Sequence, residues 1–113
     1  LDMMLLGATG LIGGELNLLP KTYRLYLNLF DAGKYAEAAK VYADLKRFNM
    51  YVEKWRGAHP RWIKIMMKAF GIRGWGLRGP YLMPDDAEVE RFREGAIRLG
   101  IAEIDELAKN SGR

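Results

Sequence analysis

Three glycines stand three residues apart near the start of the chain, within the apolar segment LLGATGLIGGELNLLP (5–20). Gly7, Gly10 and Gly13 have a spacing that would let the backbone approach a pyrophosphate at a helix N-terminus. The same letters also predict a short buried strand around Leu11 and Ile12, bounded by glycines. The first interpretation gives a cofactor site. The second gives one strand of a sheet, and that strand needs hydrogen-bond partners from other strands.

The cofactor interpretation can be weighed against the flanking sequence. GATGLIGG resembles the opening of short-chain-dehydrogenase-like Rossmann domains, which bind NAD(P). That fold needs an apolar strand before the glycines, an unbroken helix after them and then a second strand. Here the preceding LDMMLL has no β-branched residue, and Pro20 falls where the helix should be in mid-course. An NAD(P)-binding fragment is therefore the less favoured alternative.

Other residue types that carry chemistry are scarce or scattered. The chain has no cysteine, so a thiolate metal site is excluded. It has one histidine, His59, so the sequence offers little support for a histidine-based zinc site or a Ser-His-Asp triad. The eight lysines lie on or beside predicted helices or in the tail. None sits in an apolar strand where desolvation would lower its pKa. We expect no catalytic residue, no metal and no cofactor in this chain.

From Pro20 onward the apolar spacing predicts about five amphipathic helices. Pro20 suits a first helical position, and Gly33 suits the residue after the helix end. A second helix over 34–56 carries the stripe Val41, Leu45, Phe48, Val52 and Trp55. A third is predicted from Pro60 to Phe70, with Ile63, Met66 and Phe70 inward, and His59 at its entry. After the glycine-rich segment 71–84, a fourth helix opens at Asp85 and Asp86, and a short fifth carries Ile101, Ile104 and Leu107.

Charge and hydropathy limit the classes of protein to which the chain could belong. The uncharged run 3–14 is too short for a membrane span, which needs about 20 apolar residues, and no signal-peptide pattern precedes it. We expect a cytoplasmic protein, and we expect the chain to be part of a longer one because Leu1 falls inside an apolar stretch. The net charge is +4, which permits anionic partners without requiring them.

Nucleic-acid binding and a plain helical interaction module are two further alternatives. Basic and aromatic residues that could contact a nucleic acid alternate around the third helix: Arg61, Trp62, Lys64, Lys68, Arg73, Trp75 and Arg78. Acidic residues are spread through the other helices and no nucleic-acid-binding motif is present, so we expect no nucleic acid. An interaction module would explain the amphipathic helices but would leave the glycine-flanked strand without a purpose.

One resemblance covers essentially the whole chain. The succession GATGLIGGELNLLP, a helix, DAGKYAEAAKVYADL, HPRWIKIMMKAFG, LRGP and a last amphipathic helix resembles the C-terminal part of the dihydrodipicolinate synthase / N-acetylneuraminate lyase family. The resemblance implies the α/β class: a C-terminal fragment of a (β/α)8 TIM barrel, the chain itself being mostly α. Residues 1–33 would be the end of the barrel, with the eighth strand at 10–13 and the eighth helix at 20–32. Residues 34–113 would be a C-terminal helical extension.

The same resemblance implies a chemistry. Family members are class I enzymes in which a lysine forms a Schiff base with pyruvate or a related 2-oxo acid, to make or break a carbon–carbon bond with an aldehyde. The family's lysine and proton-relaying tyrosine lie on earlier strands, outside this chain. The substrate-binding positions that carry over are Ile12, whose backbone carbonyl would face the Schiff base, Gly13, and Gly14, where some relatives have a serine that touches substrate hydroxyls. A homo-oligomer, tetramer or dimer, is also implied.

Overall fold

The computed structural model describes residues 1–55 and 61–111, and this part of the chain is mostly helical, as predicted. A single turn of 3-10 helix, Gly14–Asn17, separates the first two α-helices. The α-helices in the described residues are α1 (Asp2–Leu5), α2 (Pro20–Asp31), α3 (Tyr35–Glu53), α4 (Arg61–Ala69), α5 (Asp86–Ile97) and α6 (Ala102–Asn110).

The structure shows no strand over residues 10–13, the place where the resemblance puts the eighth strand of a barrel. Gly13 has extended backbone angles, φ −164° and ψ 148°, but no β-strand forms anywhere in the described residues. A strand is held by the hydrogen bonds of a ladder, and the described residues contain no second strand that could pair with this segment. The segment therefore has no strand partner in that part of the chain, and the Ile12 side chain is fully exposed.

The helix ends follow the local signals in the sequence. Pro20 is the first residue of α2. At its other end Gly33 has a φ of +74°, a conformation that glycine adopts without strain, and the next amide, Lys34 N–H, donates to the Leu29 carbonyl at 2.9 Å. Asp85 caps α5, because its carboxylate accepts from the Glu88 amide at 2.7 Å. The predicted helix entry at His59 and Pro60 lies outside the described residues.

The apolar stripes of the helices form the core. On α3, Leu45, Phe48 and Val52 are buried as the spacing predicts. On α4 Met66 is buried, as is Phe70 just after it, but Ile63 is only half-buried, because the inward face also includes Trp62 and Ile65. Burying each large apolar side chain contributes about 1.5–3 kcal/mol. The largest fully buried side chains are Phe48, Phe92, Leu18, Leu19, Met66, Ile101, Ile104, Val52 and Val89.

The helices pack in pairs. Helix α2 lies against α3, and α4 lies against α5. The contact of α3 with α5 depends on Gly95, where an added Cβ would lie 2.7 Å from Cζ of Tyr51. The radius of gyration is 15.0 Å, whereas about 13 Å is usual for a compact domain of this length. The chain is therefore more extended than a self-contained domain of the same size.

Candidate functional site

The three predicted substrate-binding residues are consecutive and lie where the extended segment enters the 3-10 turn. Ile12 is fully exposed, Gly13 is half-buried with extended backbone angles, and Gly14 begins the turn. The Gly13 carbonyl accepts from the Leu16 amide at 3.4 Å, and the Gly14 carbonyl accepts from Asn17 Nδ2 at 3.0 Å. The structure thus places the exposed Ile12 directly beside a turn whose carbonyls are bonded within the turn itself.

Gly14 lies in close contact with α4. A Cβ at this position would lie 2.9 Å from Cη2 and Cζ2 of Trp62 and 3.0 Å from Cδ1 of Ile63. Since Trp62 is buried, its indole cannot move away without disturbing the core. Glycine at position 14 therefore has a packing role, and a serine hydroxyl would have no room there.

A buried carboxylate follows the three residues. Glu15 is only 5% exposed, and its Oε1 accepts from Asn49 Nδ2 of α3 at 2.7 Å. The other carboxylate oxygen, Oε2, is 2.9 Å from the place where a Cβ on Gly13 would be. The hydrogen bond between Asn49 and Glu15 fixes the 3-10 turn to α3. Sequence reasoning missed Glu15, because nothing in its local pattern distinguishes it from a surface glutamate.

A second buried carboxylate reaches the same region from the far end of the chain. Glu103 of α6 is 8% exposed, and it accepts hydrogen bonds from the backbone amides of Lys21 and Thr22 at the start of α2. Nothing in the sequence around Glu103 predicts this role. Its neighbours Asp105 and Glu106 have the pattern of helical surface charges, and only a long-range contact distinguishes Glu103 from them.

Between α1, the extended segment, α2 and α3 lies a cavity of about 270 Å³. Three tyrosines contribute to its wall: Tyr23, Tyr26 and Tyr42. Burial, followed by the charge of Glu15 and by Tyr42, raises the pKa of Tyr23 to about 12. Burial likewise raises the pKa of Tyr26, whose hydroxyl has no hydrogen-bond partner in the described structure. These phenols hold their protons more tightly than a free tyrosine, which is opposite to what a proton relay near neutral pH requires.

The lysines of the basic and aromatic set hold a loop in place. Lys68 forms an ion pair with Asp86 at 2.7 Å and lies 5.0 Å from the centroid of the Trp75 ring, while Lys64 donates to the Gly74 carbonyl. Trp62 is buried and cannot stack on a base. The side chain of Arg61 lies outside the described structure. These contacts tie the segment 71–84 to α4.

The described residues contain neither a metal-binding cluster nor a candidate membrane span. No group of three histidine, cysteine, aspartate or glutamate side chains is placed to hold a metal ion in residues 1–55 and 61–111. Over the same residues, no helix is both long enough and apolar enough to cross a membrane. His59 lies outside this part of the chain.

Comparison with known proteins gives one match. The model of the dihydrodipicolinate synthetase family matches residues 1–96, which include the extended segment, the 3-10 turn and helices α1 to α4 with most of α5. No significant match was found among curated proteins or solved structures. The matched region covers most of the chain. The chain therefore belongs to the dihydrodipicolinate synthetase family.

Proposed function

We propose that this chain is the C-terminal part of a (β/α)8-barrel enzyme that acts on pyruvate or a related 2-oxo acid through a lysine Schiff base. The family match over residues 1–96 carries the proposal. In this proposal residues 1–33 are the end of the barrel, with residues 10–13 as its eighth strand, and residues 34–113 are a helical extension.

The unpaired segment supports the barrel part of the proposal. Its backbone is extended at Gly13, and the apolar side chains of Met3, Leu5, Leu6 and Ile12 beside it are exposed. Burying such a surface and pairing such a backbone are both favourable, and neighbouring barrel strands and helices would do both. The large radius of gyration agrees with a segment that packs against further chain.

The chemistry proposed for the intact enzyme begins with a lysine amine that adds to the ketone carbon of the 2-oxo acid. Water leaves, and the resulting iminium withdraws electrons from the neighbouring carbon–carbon bond. A nucleophilic lysine must be neutral, so its pKa must be lowered. Lys21 does not fit, because its hydrogen bond to Glu106 raises its pKa. Lys64 donates a hydrogen bond to the Gly74 carbonyl, and Lys68 forms an ion pair with Asp86. We place the reacting lysine outside residues 1–113.

The role proposed for this chain is to form part of the substrate mouth. Barrel enzymes place their active sites at the carboxyl ends of the strands, and residues 12–14 would end the eighth strand. The Ile12 carbonyl would face the Schiff base, and Gly13 and Gly14 would line the mouth beside it. An aldehyde would be the second reactant, and self-association into a dimer or tetramer is part of the proposal.

The test is to treat the protein, expressed from its complete reading frame, with pyruvate and borohydride and to measure its intact mass. Borohydride reduces an iminium to a stable amine, so the expected result is a mass increase of one reduced pyruvate per chain. A parallel sample with borohydride alone should keep its mass. A protein whose mass is the same in both samples would contradict the proposal.

A further inference from the structure

Helix α2 begins without a local cap. Its N-cap residue is Leu19, which has no side-chain acceptor, and Pro20 occupies the first helical position. The amides of Lys21 and Thr22 come next, and they belong to the first turn, whose N–H groups have no partner within the helix. A serine, threonine, aspartate or asparagine at the N-cap usually accepts from such amides.

Glu103 supplies the missing acceptor from 81 positions away in sequence. Its Oε1 accepts from Lys21 N–H at 2.9 Å. Its Oε2 accepts from Thr22 N–H at 2.7 Å and from the Thr22 hydroxyl at 2.5 Å. A carboxylate at this position also interacts favourably with the positive end of the helix dipole. The first turn of α2 is therefore capped by a residue of α6.

Buried side chains and a hydrogen bond hold helix α6, which carries Glu103, against the core. Ile101, just before α6, and Ile104 within it are both fully buried in the core. Arg93 of α5 also holds the far end of α6, since its Nη2 donates to the Ala108 carbonyl at 3.0 Å. Residues 102–110 lie beyond the family match, which ends at residue 96. The cap is therefore provided by a part of the chain that the family match does not include.

Backbone hydrogen bonds connect the start of α2 to Gly13 through the 3-10 turn. The Gly13 carbonyl accepts from the Leu16 amide at 3.4 Å, the Glu15 carbonyl accepts from the amides of Leu18 and Leu19 at 3.0 and 2.9 Å, and the Leu19 carbonyl accepts from the Tyr23 amide at 3.1 Å. Leu18 and Leu19 are fully buried. The 3-10 turn and α2 are therefore closely connected, and we expect a shift of the first turn of α2 to move Gly14 as well.

We infer that Glu103 is a positioning residue, which holds the segment Ile12–Gly14 in place through the N-terminus of α2. Its effect on catalysis rests on the proposed function, because only there does the segment line the substrate mouth. Its effect on the segment itself follows from the hydrogen bonds alone. The two effects can be measured separately.

The test compares Glu103→Gln with wild type and with Glu106→Gln, in protein expressed from its complete reading frame. Glutamine keeps the shape of the side chain, but its NH₂ group cannot accept from an amide, so at least one of the three bonds is lost. Glu106 lies on the same helix and pairs with Lys21 only at the surface, which makes it the matched control. Thr22→Val, which removes only the hydroxyl donor, is a milder variant if Glu103→Gln does not fold.

The first readout is amide hydrogen exchange over residues 14–23. We expect protection there to fall by about tenfold in Glu103→Gln, the effect of one charge-assisted hydrogen bond, and to stay at the wild-type level in Glu106→Gln. Thr22→Val should show a smaller loss in the same amides. Unchanged protection in Glu103→Gln, or an equal loss in Glu106→Gln, would overturn the inference.

The second readout is the KM and kcat of the enzyme for pyruvate, measured well below the melting temperature of each variant. A positioning role predicts a KM raised by about tenfold in Glu103→Gln, with borohydride labelling still reaching one pyruvate per chain. Reduced protection with unchanged KM and kcat would overturn the positioning role and leave a merely structural one. If wild-type protein forms no pyruvate adduct, the proposed function fails, and the exchange experiment alone decides whether Glu103 holds the segment.

Discussion

The carboxylate of Glu103 lies 2.5 Å from the hydroxyl of Thr22 and 2.7 Å from its backbone amide, so a residue near the end of the chain caps a helix that begins near its start. The sequence next to Thr22 and Glu103 does not predict this contact. Threonine has a modest intrinsic helix propensity, and Glu103 would be a buried charge without hydrogen-bond partners if this contact were lost. The pair gives the chain a direct link between α2 and α6.

The first prediction concerns the stability of this pair. Glu103→Ala should lower the free energy of unfolding by about 3 kcal/mol, because it removes three hydrogen bonds to a buried carboxylate. Thr22→Val should lower it by about 1 kcal/mol. In the double variant the threonine hydroxyl has already lost its partner. The loss of unfolding free energy in the double variant should therefore be about 1 kcal/mol smaller than the sum of the two single losses. Urea unfolding of the four proteins measures this, and simple additivity would contradict the contact.

The second prediction compares two tyrosine hydroxyls. The Tyr51 hydroxyl donates to the Phe92 carbonyl at 2.8 Å, whereas the buried Tyr26 hydroxyl has no partner in the described structure. Tyr51→Phe should therefore cost about 1 kcal/mol, and Tyr26→Phe should be neutral or stabilising by up to about 1 kcal/mol. Thermal unfolding of both variants gives the comparison. A loss in Tyr26→Phe as large as that in Tyr51→Phe would show that the Tyr26 hydroxyl is bonded.

The third prediction separates the packing role of Gly14 from that of a nearby glycine. Gly14→Ser should destabilise the protein by about 1–3 kcal/mol, because the added Cβ would lie 2.9 Å from the Trp62 ring. Gly10→Ser is the matched control, since no atom lies within 4 Å of a Cβ there, and it should change stability by less than about 0.5 kcal/mol. Equal stability of the two variants would contradict the close contact between Gly14 and α4.

The fourth prediction concerns alkaline pH. Burial above all raises the pKa of Tyr23 to about 12 in the folded protein, while an unfolded chain ionises its tyrosines at about pH 10. Between these values the unfolded state binds fewer protons than the folded state, so stability should fall as the pH rises from about 10 to 12. The pKa values of Tyr26 and Tyr51 are raised as well, chiefly by burial, and act in the same direction.

Urea unfolding from pH 9 to pH 12 checks this dependence. Tyr23→Phe should reduce the slope of stability against pH, because one of the proton-retaining groups is gone. Tyr35→Phe, which alters an exposed ring at the start of α3, is the control variant. A slope that Tyr23→Phe leaves unchanged would contradict the burial of this phenol.

The helices could be predicted from the sequence because their signals are local. Pro20, Gly33 and Asp85 act within one turn of their own positions, and the spacing of Leu45, Phe48 and Val52 fixes the buried face of α3. These signals depend on backbone geometry and on side-chain period, which a sequence displays directly. The family could be predicted for a related reason, since the order of segments is itself a pattern.

The contacts between distant segments could not be predicted. Leu19 before Pro20 indicates that α2 lacks its own cap, but nothing in the sequence says that Glu103 rather than Asp105 or Glu106 supplies it. The glycines and apolar residues predict a strand around Leu11 and Ile12, yet a strand also needs partners, and the described residues provide none. The close contact of Gly14 with Trp62 likewise depends on how α4 lies on the 3-10 turn.

The most direct test of the central claim is to locate the pyruvate adduct. Protein expressed from its complete reading frame is treated with pyruvate and borohydride, digested, and sequenced by mass spectrometry to find the modified lysine. The account predicts one modified lysine per chain, at a position outside residues 1–113. A stoichiometric adduct on any lysine within residues 1–113, or no adduct at all, would contradict it.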